Sequence, residues 1–517
     1  MKRSLNKLKP MHAVGVSFSI HSNQYCTINT SIMEKYTELN RQYINGEWRE
    51  GSTDDVIENL NPYNGSLLNT YKGAGKDDVD EAFATAKEAS KGWSKGHPLE
   101  RRDLMLRAAE ILMQRKEEFV NWIITEVGGT HIKAEVEVTQ TYNMLIESAG
   151  YPTRVNGLTI PSYTPGKETY VFRKALGVIS MISPWNFPLY LSMRTIAPAL
   201  AVGNAVVIKP ASQSPVTGGV IIAKLFEEAG IPKGVLNCVV GKSGTIGDYF
   251  VANETSKLIS FTGSTPVGKG IGRIAGEGLK KLALELGGNN AFVILDDADV
   301  DRAVDSAIFG RFIHQGQVCM STNRILIHDS IYEEFKDKFV RRAAALPYGD
   351  PADKNTIIGP LIDNKAVKHV LDLVERSVQA GAKLETGGTA EGNVVIPTVL
   401  SGVTKDMAIF QEEIFGPAVG LVSFKDDEEA LELANGTEFG LSGALHTRDL
   451  QRGIQFAKRV ETGMIHINDQ SVNDEMNTPF GGEKNSGVGR FGGDFILDEM
   501  TSVQWVSVQV EPRQYPF

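Results

Sequence analysis

Cysteine is scarce in this chain. Among 517 residues there are three, and one of them, Cys319, stands in the stretch HQGQVCMSTN at 314–323. A thiol in such a place is either a small buried apolar residue or a nucleophile, because a thiolate attacks electrophilic carbon readily. Four further tracts hold residue types that bind or activate: SPWNFP (183–188), KPAS (209–212), GSTPVG (263–268) and LELGGNN (284–290). A glycine-rich turn ahead of a helix leaves backbone N–H groups free for a phosphate, and the helix dipole favours the anion. GSTPVG departs from the G-x-G-x-x-G pattern and is weak evidence alone. The four tracts together carry more weight.

What must position them is a set of alternating elements. GVISMIS, AVVIKP, VLNCVVG and KLISFTG are short β-branched runs, each followed by a helix-compatible segment. Strands alternating with helices predict parallel βαβ units with helices on both faces of a sheet. Three of the tracts fall just after predicted strands, where open α/β sheets bind ligands; LELGGNN sits at a junction. Beyond it the rhythm restarts with AFVILDD, a helix through DVDRAVDSAIFGRFI, the cysteine, and RILIH, and continues to about residue 470. Two α/β units therefore meet near Gly287–Gly288. Ahead of the first, 76–93 and 99–128 show apolar residues at helical spacing and read as surface helices. The segment RVNGLTIPSYTPGKETYVFRKAL reads as a β-hairpin or arm.

Composition narrows the function classes. The chain is 42% hydrophobic and 22% charged, with a formal charge of −10 and no sustained Lys/Arg block in its body. That argues for solubility and against nucleic-acid binding. Three distant cysteines are no disulfide framework, so a reducing cytoplasm is expected. No zinc-type Cys/His spacing appears, and no metal is expected. The longest apolar run, APALAVGNAVVI, is too short to span a bilayer, which takes about 18 residues or more. The basic start MKRSLNKLKP lacks a following apolar core and cleavage site. Residues 1–35 are expected to be a disordered tail, with a targeting segment as the alternative.

Taken with GQVC and EEIFGP (412–417), the tracts resemble the NAD(P)-dependent aldehyde dehydrogenase superfamily, in family order from about residue 36 to the end. SPWNFPLYLSMR and NTPFGGEKNSGVGR look most like the branch acting on benzaldehyde- or vanillin-like aldehydes. The resemblance implies an α/β fold: a Rossmann-type cofactor domain (36–153 and 173–287), an α/β catalytic domain (288–485) and a small β oligomerisation arm (154–172 and 500–517). It implies a homodimer or homotetramer, a small aldehyde as substrate, and no membrane partner. It makes Cys319 the nucleophile, Asn186 and the Cys319 N–H the oxyanion donors, and Glu285 the base for thioester hydrolysis. Cofactor contacts would come from Trp185, Lys209, Ser212, Gly263, Ser264, Gly268, Leu286, Glu413 and Phe415. Leu191, Val318, Met320 and Phe480 would wall the substrate pocket.

Three positions depart from the family pattern. Ser212 replaces the Glu that commonly follows KPA, which removes a repulsion against a 2′-phosphate and implies that NAD and NADP both serve; serine also caps helices well. Thr195 and Phe491 stand where many relatives carry Lys and Glu, so the proton relay differs. Two other functions remain open: a CoA-acylating dehydrogenase, which often lacks the acid at position 285, and a silent binding protein on the same fold.

Overall fold

The computed structural model describes residues 34–517; the expected tail up to residue 33, Cys26 included, lies outside them. Five short runs rich in Val, Ile and Leu form the parallel centre of the first sheet. In spatial order they are Leu236–Cys238, Ala205–Lys209, Val178–Ile182, Ser256–Thr262 and Lys281–Glu285. Strands buried on both faces need apolar residues on both, and the alternation shows it. Ile179, Met181, Val206 and Ile208 pack with Leu189, Met193 and Ile196 of the helix Pro188–Ala201. Val178, Ala205 and Val207 face the other way, onto Val79 and Phe83 of the helix Lys76–Trp93.

The order has a consequence for binding. After Val178–Ile182 the chain adds two strands on one side, then returns to place Ser256–Thr262 on the other. The connections on either side of Val178–Ile182 run to opposite flanks, which opens a crevice at its carboxyl end. Sequence alternation predicts the strands but is silent on this order. Short antiparallel strands close both edges: Gln42–Ile44 pairs with Leu236–Cys238, and Gly487–Val488 pairs with Lys281–Glu285.

Four residues, Leu286 to Asn289, carry the chain into a second sheet, which opens with Asn290–Ile294. Its order is Lys383–Thr386, Thr398–Ser401, Ala418–Phe424, Thr322–His328, Asn290–Ile294, Gly443–His446, His466–Ile467. All pair parallel except the first, an antiparallel edge.

Two sequence expectations are adjusted. The pattern over 99–128 forms two helices, Pro98–Gln114 and Lys116–Val127, broken at Arg115 (φ −102, ψ 14). The break lets Leu104 and Leu112 of one and Phe119 and Ile123 of the other enter the same core. The arm strand Lys167–Ala175 runs three residues past 172, because its nine-residue antiparallel ladder with Thr501–Gln509 continues to the pair Ala175–Thr501. Gly177, at φ +117, then turns the chain into the first sheet.

Candidate active site

A cleft of about 380 Å³ opens at the crevice between the two sheets. Trp185, Asn186, Lys209, Ser212, Gly263, Ser264, Leu286, Cys319, Glu413 and Phe415 all line it. Residues from six separated tracts thus converge on one cavity. Gly268 and Glu285 are not in the lining. Gly268 lies behind it: a Cβ there would stand 2.3 Å from Leu286 Cδ2, so glycine is what lets Leu286 seat against the helix Thr265–Glu277.

At one end of the cleft, Lys209 ends its strand almost wholly buried, and its Nζ meets Ser243 Oγ at 3.2 Å. Burial pushes its pKa down to about 8. A buried ammonium with a lone hydroxyl partner is suited to ribose hydroxyls. Ser264 holds the N-cap position of the helix Thr265–Glu277, yet its side chain makes no capping bond and remains available to a ligand. Ser212 lies in a turn, and the helical segment beyond it opens only at Pro215, where Ser214 O accepts from Gly218 N at 2.9 Å. Ser212 is therefore not a helix cap. At the far end, the Trp185 and Phe415 rings meet edge-on at 5.4 Å between centroids. One oxygen of Glu413 accepts from Gly288 N at 2.9 Å. Burial raises this carboxyl to about 7, against the pull of that N–H. These groups fit a dinucleotide: a buried amine and a free hydroxyl toward one end, a carboxylate and two aromatic rings toward the other.

The loop that carries Cys319 is tightly specified. After the helix Val300–Phe312, His314, Gln315 and Gly316 are all left-handed, with φ of 49, 54 and 75. Two consecutive non-glycine residues in that region are costly and need support from outside. Gln315 Nε2 donates to Gly128 O (3.0 Å) and Pro360 O (2.9 Å), while Gln317 Oε1 accepts from Ile362 N (2.9 Å). Asn290 Nδ2 donates to Cys319 O (2.7 Å) and Ser321 O (2.8 Å). The two glycines of LELGGNN are explained here. A Cβ on Gly288 would sit 2.1 Å from Cys319 O, and one on Gly287 would sit 2.6 Å from Glu413 Oε2. Asn186 Nδ2 donates to Gln317 O at 3.0 Å, which orients the amide with its second N–H still to give.

Glu285 ends its strand fully buried, with neither carboxylate oxygen bonded among the described residues. Burial raises it to about 8, with Asp474 pushing the same way and Arg194 and Arg490 opposing. Cys319 is half-buried; desolvation and then the Glu285 charge push its thiol up to about 12, against Arg194. Proton transfer from that thiol to that carboxylate is therefore uphill at rest.

Arg194 was not among the residues chosen from sequence. It is buried on the helix Pro188–Ala201, 3.2 Å from Asp474 Oδ2, which also accepts from Tyr190 Oη at 2.8 Å. Its guanidinium lies over the rings of Phe480 (4.1 Å) and Phe491 (4.7 Å). Phe491 thus occupies its departure from the family pattern as one wall of a cation sandwich. Thr195, the other departure, bonds Ser260 Oγ at 2.8 Å. A signal was present, since LYLSMRTIAPAL is an apolar helix with one charge. Leu191, Val318, Met320 and Phe480 do not line the cleft; they are buried together in the core cluster that Cys319 borders.

The comparisons agree with this geometry. Residues 48–506 match the model of the aldehyde dehydrogenase family. A benzaldehyde dehydrogenase of Bacillus subtilis is 47% identical, over 94% of this chain and 100% of its own. A vanillin dehydrogenase of Corynebacterium glutamicum is 48% identical, over 91% of this chain and 98% of its own. The crystal structure of an NAD-dependent benzaldehyde dehydrogenase from Corynebacterium glutamicum superposes with a TM-score of 0.84 at 46% identity, covering 91% of this chain and 98% of that one. The chain belongs to the aldehyde dehydrogenase family.

Proposed function

We propose that the protein oxidises aromatic aldehydes to carboxylic acids with NAD⁺ or NADP⁺, Cys319 serving as nucleophile. The observation that carries the reading is the convergence of Cys319, Asn186, Lys209, Glu413 and Phe415 on one cleft at the strand ends. The benzaldehyde and vanillin relatives support the aromatic class. When bound, the nicotinamide supplies the hydride acceptor. Cys319 Sγ adds to the carbonyl carbon, giving a thiohemiacetal. The free N–H of Asn186 and the Cys319 N–H hold the oxyanion, each donor being worth about 2.7–4 kcal/mol. Because the resting thiol is strongly protonated, its proton leaves to solvent water as the Sγ–C bond forms, so that deprotonation is coupled to carbonyl addition. Loss of hydride leaves a thioester. Glu285 then takes a proton from water, which attacks the thioester carbon and releases the acid and the thiolate. Glu285 supports hydrolysis over transfer to CoA. NADH absorbance with benzaldehyde, with and without CoA, tests the reading; a rate that needs CoA would overturn it.

Use of NADP⁺ rests on Ser212. A carboxylate about 4 Å from a 2′-phosphate would cost about 4 kcal/mol per unit charge pair at an effective dielectric of 20. Half of that already excludes NADP⁺ by more than about tenfold. Ser212 carries no charge, and buried Lys209 shares its cleft. The wild type is expected to use both cofactors, and Ser212→Glu to lose kcat/KM for NADP⁺ selectively. Equal use of NADP⁺ by the two proteins, or none by the wild type, would refute this.

The arm supports assembly into dimers or tetramers. Thr501–Gln509 lies at the edge of its three-stranded sheet, and Val503, Trp505 and Val508 on it are exposed. An unpaired apolar edge strand is a template for another chain. Light scattering at micromolar concentration should give an oligomer; a monodisperse monomer contradicts the proposal. The thiols of Cys238 and Cys319 are both free, which suits a reducing compartment such as the cytoplasm. No helix among the described residues is long and apolar enough to cross a membrane.

A further inference from the structure

We infer that Arg311 is a positioning residue for hydride transfer, a latch that holds the cofactor loop 412–417 against the nucleophile loop. The inference rests on the reaction proposed above. Arg311 closes the helix Val300–Phe312 and has no exposed surface, the largest side chain so enclosed among the described residues. Burying a guanidinium is costly, and it is normally offset by a carboxylate. None among the described residues pairs with it. Its Nη1 donates instead to Thr322 O (2.9 Å) and Asn323 Oδ1 (2.5 Å), and its Nη2 to Gly416 O. Thr322 and Asn323 follow Cys319 by three and four residues; Gly416 follows Phe415 by one. One side chain therefore joins the two loops, using the forked, divergent donors that only arginine offers.

Two further observations make the joint a closed circuit. Asn323, which accepts from Arg311, donates through Nδ2 to Gly288 O at 3.3 Å, and Gly288 N donates to Glu413 Oε1 at 2.9 Å. Arg311 thus reaches the cofactor loop directly at Gly416 and indirectly at Glu413, on both sides of Phe415. Phe415 itself is left-handed at φ 49, a conformation that its surroundings must enforce. The nucleophile loop closes the circuit at Gly316, φ +75, where a Cβ would stand 2.4 Å from Gly416 O and 2.5 Å from Arg311 Nη2. The positive charge also favours the ionised form of Glu413. Its proposed work is geometric: it fixes the Glu413 and Phe415 contacts to the cofactor relative to Cys319 Sγ, where a misplacement of about 1 Å costs up to a hundredfold.

The test is Arg311→Met, which keeps an unbranched apolar stem and removes the donors. With benzaldehyde, the expected result is a fall of about tenfold or more in the pre-steady-state burst of NADH and a raised KM for NAD⁺. Alkylation of Cys319 by iodoacetamide at pH 9 without cofactor should stay close to wild type, and Arg311→Lys should recover part of the burst. Alkylation falling in parallel with the burst would reduce Arg311 to a support of the nucleophile loop and overturn the inference. So would a burst and KM within about twofold of wild type. If Arg311→Met does not fold, Asn323→Ala decides by the same measurements: it opens the circuit at its second link, and an unchanged NAD⁺ KM and burst overturns the latch. A wild type that forms no NADH from benzaldehyde removes the reaction and the latch together, whereas a wild-type burst matched by the variants removes the latch alone.

Discussion

Cys319→Ala should abolish aldehyde oxidation, with a loss of about a thousandfold or more, since among the described residues Cys319 carries the one thiol that lines the cleft. Folding and cofactor binding should persist. Cys319 contributes its carbonyl, not its sulphur, to the loop framework, accepting from Asn290 Nδ2 at 2.7 Å. Alanine keeps that carbonyl. The control is Cys238→Ala, which lies in the core of the first sheet away from the cleft and should leave kcat and KM nearly unchanged. NADH formation from benzaldehyde and NAD⁺ binding by fluorescence separate the two effects. A Cys319→Ala protein that retains more than a trace of turnover would place the chemistry elsewhere.

Glu285→Gln should show the second-largest loss, and of a different kind. The amide keeps the shape but cannot take a proton from water, so steady-state turnover should fall by about a hundredfold or more while a single burst of NADH survives. The wild type adds a pH signature. Burial raises Glu285 to about 8, so at pH 7 only about a tenth of it is ionised. Hydrolysis-limited turnover should therefore climb as pH rises toward and through 8, with one proton lost. In Glu285→Gln that limb should vanish. Full turnover in the variant, or a wild-type profile flat between pH 6.5 and 8.5, would take Glu285 out of the mechanism.

What could be read from sequence, and what could not, follows from the range of the interactions involved. The strands ending at Ile182, Lys209 and Thr262 were legible because β-branched runs are local, and the tracts after them marked the ligand-binding ends. The glycines at 287 and 288 were visible, but not their reason. It lies in Cys319 O and Glu413 Oε2, contacts formed across 31 and 126 residues. Arg194 and Asp474 meet across 280 residues, and nothing local to either signals the other. Ser212 illustrates the opposite limit: its residue type suits a cap, yet the helix starts three residues later, and only the backbone path decides. The four residues expected to wall the substrate pocket are legible as apolar, but apolarity alone does not separate a pocket wall from a core residue. Leu191, Val318, Met320 and Phe480 sit within the same cluster as dozens of ordinary core side chains.

The crossing at Gly287–Gly288 also bears on how such a protein could be recombined. Glu285 closes the first sheet and Asn290 opens the second, so a crossover between them looks like a natural seam. The backbone argues otherwise. Glu285 is flanked on one side by Thr262 and on the other by Gly487, a residue that returns from the far end of the chain. A chimera with one crossover at the seam would take Glu285 from one parent and the strand beside it from the other. Asn290, which holds the cysteine carbonyl, would travel with the cysteine, while Leu286 and its partner Gly268 would stay with Glu285. Exchange of the cofactor half as a working unit therefore requires a second crossover ahead of residue 487, so that both neighbours of Glu285 come from the same parent.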